Sequence, residues 1–386
     1  MHICFLTNEF PKGGFPHGGI GSFVKTLGAA LVKEGVQVSV IGLNYIPVNE
    51  FEKIDGISVY RLKKSSVKGF SWYLNSIAIS KKIKEIDSQN SIDIIEASEL
   101  GFAFIKKIKK IKYVIRMHGG HHFFAESENR GINKWKGFQE KKSFKKCDAF
   151  IAVSKYVKLH TEKYLSLDNK PVGYISNPIN TDFFKPIQEN KVENKIVFAG
   201  TVCEKKGIRQ LIQAFPFVKN EFPSATLEIY GREWFFSDGS SYMQMLKDKE
   251  LPQLGAIKKD IHFKGAVSYL DIPIAYSQAE VCVFPSHMET QGLVAPEAMA
   301  MEKTVVFTKL GPGPEAITDY QTGLLCDPHN PENIAEKIIW VFSNKKESET
   351  IGKKAREFVL QKYSLKSIVL QNIDFYKRII LNNSRN

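Results

Sequence analysis

The sequence lacks the patterns typical of disulfide-stabilised, zinc-ribbon and membrane-spanning proteins. Its five cysteines are scattered and contain no CxxC pair, so neither a disulfide framework nor a zinc ribbon is indicated. No uninterrupted apolar run approaches the roughly 20 residues that a membrane-spanning helix needs. The apolar start, MHICFL, is too short for a signal peptide and has no basic region before it. We therefore expect a protein of the reducing cytoplasm.

Positive charge is concentrated in the first half of the chain. The net charge is +13 over 386 residues, and almost all of it falls within residues 1–187, while the rest is close to neutral. A hydrophobic content of 43% is ordinary for a globular protein, and the length is sufficient for two domains. The basic half leaves an anionic membrane surface, an acidic glycan or nucleic acid as candidate partners.

Apolar, strand-like runs alternate with helical patterns in both halves of the chain. The strand-like runs cover 2–8, 36–43, 91–98, 113–119 and 149–154, then 195–202, 225–231, 261–267, 280–286 and 303–309. Strands of nearly unbroken apolar character indicate parallel sheets that are covered on both faces. We predict an α/β protein of two doubly wound, Rossmann-like domains, 1–187 and 188–362. They join at the Asn- and Pro-rich segment 176–186, and a last helix, 363–381, packs back on the first domain.

One short stretch, HMETQGLVAPEAMAM at 287–301, places a glutamate on each side of a predicted helix start. Ligands of open parallel sheets bind beyond the carboxyl ends of strands, where helix N-termini expose their amides. An anion there would accept hydrogen bonds from the amides of residues 292–294. Glu289 and Glu297 would repel that anion, so we expect them to bind hydroxyl groups beside it. The alternative is that both are merely favourable charges near a helix N-terminus.

The same stretch resembles the donor-binding motif of glycosyltransferase family four, in which two glutamates are separated by seven residues. Further motifs follow the family's order along nearly the whole chain: PHGGIGSFVKTLGAAL (16–31), RMHGG (116–120), FAGTVCEKKGIRQLIQAF (198–215), FKGAVS (263–268) and GPGPEAITDYQTGLLCDP (311–328). The resemblance implies the GT-B fold, in which two Rossmann-like domains face each other across a cleft. The first domain then binds the acceptor and the second binds a nucleotide-sugar donor.

The resemblance also implies roles for individual residues. The catalytic residues are His118, which contacts the donor sugar or the reacting centre, and Glu289, which orients the transferred sugar. Glu297 holds the ribose of the nucleotide. The diphosphate is bound by Lys206, by the amides of Gly292, Leu293 and Val294, and by close approach of the backbone at Gly19. Members of this fold need no metal or cofactor, and no DxD pair occurs here.

The chain departs from the family pattern at Thr201, where relatives usually have an arginine five residues before the phosphate-binding lysine. Two nearby cations are candidates to replace it: Lys205, which adjoins Lys206, and Arg209. Without a replacement, charge neutralisation of the diphosphate would be weaker.

Three histidines lie close together at 118, 121 and 122. Zinc ligation by all three is a minor alternative. The resemblance favours His118 as the functional residue, with His121 and His122 lining the acceptor site or the surface.

Five lysines fall within 102–116, with Ile108 and Ile111 between them and Ile105 directly before the first. We predict a helix here with one basic face, which is either simply solvated or docks to anionic lipid headgroups. Nucleic acid is not expected, since no aromatic residues are interleaved with these lysines to stack on bases.

The resemblance to family four, together with these patterns, implies a retaining glycosyltransferase. It transfers a sugar from a UDP- or GDP-sugar to a hydroxyl of a glycan or a lipid-linked acceptor, as in bacterial polysaccharide or glycolipid synthesis. The expected location is the cytoplasm, with peripheral contact to the inner face of the membrane. A sugar-nucleotide hydrolase or phosphorylase, and a non-catalytic nucleotide-sugar-binding subunit, are the alternatives.

Overall fold

The alternating strands and helices form two separate parallel sheets. The computed structural model describes residues 1–15, 18–187 and 191–381. The chain divides into two units, Met1–Pro178 with the segment from Leu365 onward, and Ile179–Ser364. The first boundary thus precedes the predicted one, because Ile179 and Phe184 are buried in the core of the second unit. Residues 188–190, where the predicted second domain begins, lie outside the described residues.

The described residues of the first unit form an eight-stranded sheet of order β3-β4-β2-β1-β5-β6-β7-β8. Its strands are β1 His2–Leu6, β2 Gln37–Leu43, β3 Glu50–Ile54, β4 Ile57–Leu62, β5 Ile94–Ala97, β6 Lys112–Met117, β7 Ala149–Ala152 and β8 Val172–Tyr174. Only the edge pair β3–β4 is antiparallel among these strands. Since β1 lies between β2 and β5, the winding direction reverses there, and ligands of such sheets bind at this switch point.

Helices cover both faces of this first sheet. They are α1 Gly19–Lys33, α2 Ser71–Gln89, α3 Gly120–Ser127, α4 Lys134–Lys146 and α5 Lys155–Glu162. Helix α1 buries one stripe of apolar residues, including Phe23 and Leu27, because these positions recur at helical spacing.

The described residues of the second unit form a six-stranded, all-parallel sheet of order β11-β10-β9-β12-β13-β14. Its strands are β9 Lys195–Ala199, β10 Thr226–Tyr230, β11 Ile261–Gly265, β12 Val281–Phe284, β13 Thr304–Thr308 and β14 Leu324–Cys326. The central strands β9, β12 and β13 are buried along their whole length, as their unbroken apolar sequences predict. The switch point lies between β9 and β12.

Seven α-helices of the described residues surround this second sheet. They are α6 Ile208–Glu221, α7 Tyr242–Met245, α8 Ile272–Gln278, α9 Val294–Ala300, α10 Gly313–Ala316, α11 Pro331–Ser343 and α12 Lys345–Lys362. Shorter 3-10 turns precede α6 at Glu204–Lys206 and α8 at Tyr269–Asp271.

The last helix, α13 Leu365–Leu381, belongs to the first unit and packs against α1. Its polar side chains reach a buried ion pair between Arg116 on β6 and Glu96 on β5. The Tyr376 hydroxyl donates to Glu96 at 2.6 Å, and Asn372 accepts from Arg116. An unpaired buried charge is costly, so these partners fix the position of α13.

The helix predicted over 102–116 is wrong. Residues 101–111 form a loop, and β6 begins at Lys112. Ile105 and Ile111 of this loop are buried, so these isoleucines pack in the core although they do not lie on a helix. Lys107 pairs with Asp148, and Lys110 pairs with Asp87.

No helix among the described residues combines the length and the apolar character needed to cross a bilayer.

Candidate functional site

Two charged side chains meet at the switch point of the second sheet. Lys206 ends the 3-10 turn that follows β9, and Glu289 lies in the loop that follows β12. Their side chains form an ion pair, and the Ser286 hydroxyl donates to the same Glu289 oxygen at 3.1 Å. Because β9 and β12 are neighbouring parallel strands, their carboxyl ends bring these two loops together.

Gly207 makes this close approach of the two loops possible. It adopts a φ of +70°, and a Cβ built on it would lie 1.8 Å from the carbonyl oxygen of Pro285. Any side chain at this position would therefore push the Lys206 turn away from the end of β12. A backbone hydrogen bond from His287 to the Lys205 carbonyl, 2.9 Å long, ties the two loops together again.

The predicted helix start near Gly292 is present, and α9 begins at Val294. Gly292 has a φ of +74°, and a Cβ there would lie 2.6 Å from the Phe307 ring and 3.5 Å from Glu289 Cγ. The bend thus places Glu289 directly beside the amino end of α9. Amides in the first turn of a helix have no intrahelical acceptor, so those of Leu293 and Val294 are suited to bind an anion here.

Glu297 occupies a more enclosed position within α9. Its side chain is buried, and the Tyr269 hydroxyl lies 3.4 Å from its Oε1. Burial raises the pKa of Glu297 to about 8. At neutral pH the carboxyl is therefore largely protonated in the free protein. A ligand that donates hydrogen bonds to it would favour the ionised form.

An arginine that the sequence did not suggest lies beside Thr201. Arg232 follows β10, the other neighbour of β9, and its Nε donates to the Thr201 hydroxyl at 3.4 Å. A backbone hydrogen bond from Val202 to the Arg232 carbonyl fixes the two segments side by side. Arg209, one of the two predicted replacements, is instead paired with Glu204. The only signal in the sequence was that Arg232 directly follows a strand.

His118 follows β6 at the carboxyl edge of the first sheet. Its ring packs edge-on against Phe23 of α1, with 5.4 Å between ring centres. Burial, and to a smaller extent the Arg116 charge, lowers the pKa of His118 to about 3. The imidazole is therefore neutral at pH 7. One of its ring nitrogens can donate a hydrogen bond to a hydroxyl group, and the other can accept one.

Two buried glutamates that sequence reasoning missed hold the backbone around His118. Glu99 accepts hydrogen bonds from the amides of His118 and Gly119, and Glu140 accepts from the amide of His121. Burial raises the pKa of both carboxyl groups to about 7. A Cβ at Gly120 would lie 2.5 Å from Glu140 Oε1, so this turn requires glycine.

The other two histidines are not grouped with His118. His121 accepts a hydrogen bond from the Asn133 amide at 2.9 Å, and His122 contacts Glu140. Within the described ranges, no three His, Cys, Asp or Glu side chains form a group that could hold a metal ion. These contacts give His121 and His122 structural roles in positioning α3.

Gly19 is the first residue of α1, beside the switch point of the first sheet. Among the described residues, no atom lies within 4 Å of a Cβ built on Gly19, whereas a Cβ on Gly21 would lie 1.7 Å from the Glu9 carbonyl oxygen. The space at Gly19 is therefore open to a ligand, and Gly21 is required by packing. Pro16 and His17 of the same motif lie outside the described residues.

Known families match both halves of the chain. Residues 17–183 match the family described as Glycosyltransferase Family 4, and residues 180–358 match Glycosyl transferases group 1. An uncharacterised glycosyltransferase of Methanocaldococcus jannaschii is 29% identical over 405 aligned positions, which cover 98% of each chain. The capsular polysaccharide biosynthesis glycosyltransferase CapM of Staphylococcus aureus is 29% identical over 191 residues, covering 49% of this chain and 46% of CapM.

Solved structures show the same fold over the full length. Sucrose-phosphate synthase from Thermosynechococcus elongatus has a TM-score of 0.82 at 20% identity, and 99% of each chain is covered. The Anabaena protein HepE, solved in complex with UDP-glucose, has a TM-score of 0.75 at 18% identity, covering 98% of this chain and 100% of HepE.

Proposed function

The chain belongs to glycosyltransferase family four and has the GT-B fold; from this premise we propose that it is a retaining enzyme. The reaction moves a sugar from a nucleoside diphosphate to an acceptor hydroxyl with the anomeric configuration kept. The observation that carries this proposal is the meeting of Lys206, Glu289 and the amino end of α9 at the switch point of the second sheet.

The diphosphate binds where the second unit offers positive charge and amides. Lys206 and the amides of Gly292, Leu293 and Val294 bind its oxygens, and the backbone at Gly19 approaches it closely. Arg232 supplies the second cation that the family has at the position of Thr201. These groups stabilise the negative charge that develops on the leaving diphosphate as the glycosidic bond breaks.

The ion pair between Lys206 and Glu289 changes when the donor binds. The diphosphate competes with Glu289 for the lysine ammonium, and the released carboxylate accepts hydrogen bonds from hydroxyls of the transferred sugar. Glu289 thereby orients the sugar, and His118, as a neutral imidazole, contacts its hydroxyls or the reacting centre. Glu297 binds the ribose hydroxyls. A phosphate oxygen of the leaving group takes the proton of the acceptor hydroxyl, so no protein nucleophile is required.

A UDP-sugar is the first donor to test, because the structurally similar HepE was solved with UDP-glucose. The acceptor is a glycan or a lipid-linked sugar of polysaccharide or glycolipid synthesis, as the similarity to CapM suggests. A reducing, cytoplasmic location is supported by the cysteines, since all five are free and buried.

Ligand binding and product analysis test the proposal. Thermal unfolding is measured with UDP, GDP and ADP and their sugars, because a specific ligand raises the melting temperature as its concentration increases. The donor that stabilises the protein is then incubated with and without acceptor glycans, and the anomeric configuration of the product is read by NMR. An inverted product contradicts the retaining mechanism. Donor cleavage that is equally fast without any acceptor identifies a hydrolase.

A further inference from the structure

A cluster of large apolar side chains, none of which belongs to the residues assigned above, lies exposed on the first unit. Helix α2 and its preceding residue expose Phe70, Tyr73, Leu74 and Ile77, whose side chains are 39% to 65% accessible. Their spacing of three and four residues places them on one side of the helix. Contiguous exposed apolar groups of this kind mark an interaction surface on a globular protein.

A cluster of aromatic residues adjoins this group at Tyr73, whose ring centre lies 5.7 Å from that of Trp72. Trp72 of α2 contacts Phe104 and Trp135, with ring centres 4.3 and 5.5 Å apart, and Trp135 stacks on Phe138 of α4. Trp72, Trp135 and Phe138 are 38%, 45% and 50% exposed. We call these side chains, with the four of α2, the α2–α4 surface.

Lysines border the α2–α4 surface. Residues 56–84 contain no aspartate or glutamate, and the exposed side of α2 continues from Ile77 into Lys81 and Lys84. The exposed Glu85 that follows is paired with Lys82. On α4, Lys134, Lys136 and Lys141 are exposed, whereas the helix's one acidic residue, Glu140, is buried.

We propose that the α2–α4 surface docks the protein onto a lipid bilayer containing anionic headgroups. Aromatic and aliphatic side chains enter the boundary between headgroups and acyl chains, while the flanking lysines reach the anionic headgroups. This arrangement of an apolar side bordered by lysines is the one by which amphipathic helices lie in the plane of a membrane.

Two features favour a bilayer over a sugar or a nucleic acid as the partner. Sugars and bases stack on free aromatic faces, but here Phe104 and Trp135 stack on each other with 23° between their ring planes. Leu74 and Ile77 offer no flat face at all, whereas acyl chains pack well against aliphatic groups. The lysine-rich border then matches an anionic headgroup layer without any need for base or sugar recognition.

Vesicle sedimentation of the full chain tests the proposal without requiring donor or turnover, so its outcome is separate from that of the transferase assay. The protein is mixed with vesicles of phosphatidylcholine alone, or of phosphatidylcholine and phosphatidylglycerol in equal parts. We expect binding to the anionic vesicles only, and weaker binding as the salt concentration is raised, since screening shortens the reach of the lysine charges.

Paired variants separate this surface from general adsorption of a basic protein. Leu74→Ser with Ile77→Ser should lower the vesicle affinity about tenfold, because two aliphatic groups no longer leave water. Lys81→Ser with Lys84→Ser should lower it about fivefold per lysine. The controls, Leu159→Ser with Leu370→Ser and Lys353→Ser with Lys354→Ser, remove exposed side chains of the same types elsewhere and should bind as the unchanged protein does.

Several outcomes would overturn the proposal. These are a lack of binding to anionic vesicles, wild-type binding by the Leu74 and Ile77 variant, or an equal loss in the controls. Light scattering that shows a dimer which the same variant dissociates would also overturn it, because the surface would then join two copies of the chain. Unchanged circular dichroism and melting temperature establish that each variant is folded.

Discussion

The Lys206 ammonium and the Glu289 carboxylate, 83 residues apart in the chain, form an ion pair at the switch point of the second sheet. The two side chains are 21% and 10% exposed, so the pair is only partly shielded from water. A diphosphate entering this place carries more negative charge than one carboxylate. Donor binding can therefore separate the pair, and the two residues can be tested one at a time.

Lys206→Ala should weaken UDP binding about 10- to 100-fold, because a charged hydrogen-bond donor to the diphosphate is lost. Isothermal titration with UDP and with uridine measures the effect, and uridine binding should change little. Lys259→Ala is the control, since it removes an exposed lysine of the same unit that has no part in the proposed site. An unchanged UDP affinity in Lys206→Ala would assign the phosphates to other residues.

Glu289→Gln should act on turnover rather than on nucleotide binding. The substitution frees Lys206 from its partner, so the affinity for UDP should stay equal or rise. It also replaces the ionised acceptor of the sugar hydroxyls, so we expect kcat to fall by about 100-fold or more. Steady-state kinetics with the identified donor, beside UDP titration of the same variant, separate the two effects. Wild-type kcat would show that Glu289 does not orient the transferred sugar.

Glu297 should make nucleotide binding depend on pH. Burial raises the pKa of this carboxyl to about 8, and ribose hydroxyls donate hydrogen bonds best to its ionised form. Below that pKa only a fraction of the protein molecules carries an ionised Glu297. The affinity for UDP should therefore rise by up to about tenfold per pH unit from pH 6 to pH 8. Titration in buffers of different ionisation enthalpy should show proton release on binding.

The variant Glu297→Gln cannot ionise, so its UDP affinity should be weak and nearly constant over the same pH range. A pH dependence that survives in this variant would come from another group. If UDP binding to the unchanged protein released no proton, the ribose would have to bind at a place other than Glu297.

Much of the candidate site in the second unit could be predicted from the sequence, because parallel strands present their carboxyl ends at one edge of the sheet. Lys206 and Glu289 each follow a buried apolar strand, and Gly292 precedes a run of helix formers. These local patterns place all three at the same edge. Their mutual contact could not be predicted, since it depends on which strands are neighbours, and β9 and β12 are separated by two intervening strands in sequence.

Other features depend on tertiary contacts that leave no periodic pattern. Glu99 and Glu140 resemble ordinary charged residues in the sequence, yet both are buried and hold the turn after β6. The helix predicted over 102–116 failed because the isoleucine spacing fits a loop packed on the core equally well. Apolar periodicity over a short window does not distinguish these two arrangements.

Arg232→Ala should test whether this residue replaces the missing family arginine. Loss of its guanidinium should lower the affinity for UDP about tenfold and leave the affinity for uridine unchanged, because only the diphosphate carries the charge it binds. Lys259→Ala, which removes an exposed cation elsewhere in the second unit, serves as the control. Equal UDP binding by the Arg232 and Lys259 variants would leave Thr201 without a substitute cation.

Two glycines at the start of α1 should respond in opposite ways to the same substitution. A Cβ on Gly21 would lie 1.7 Å from the Glu9 carbonyl oxygen, so Gly21→Ala forces the backbone apart. It should lower the free energy of unfolding by about 1–3 kcal/mol. Gly19→Ala meets no atom of the described part of the chain within 4 Å and should unfold at the same denaturant concentration as the unchanged chain. If the donor diphosphate approaches the backbone at Gly19, the added methyl group must nevertheless raise the KM for the donor. A Gly19→Ala protein with unchanged stability and unchanged KM would show that the open space beside this helix is not filled by the donor.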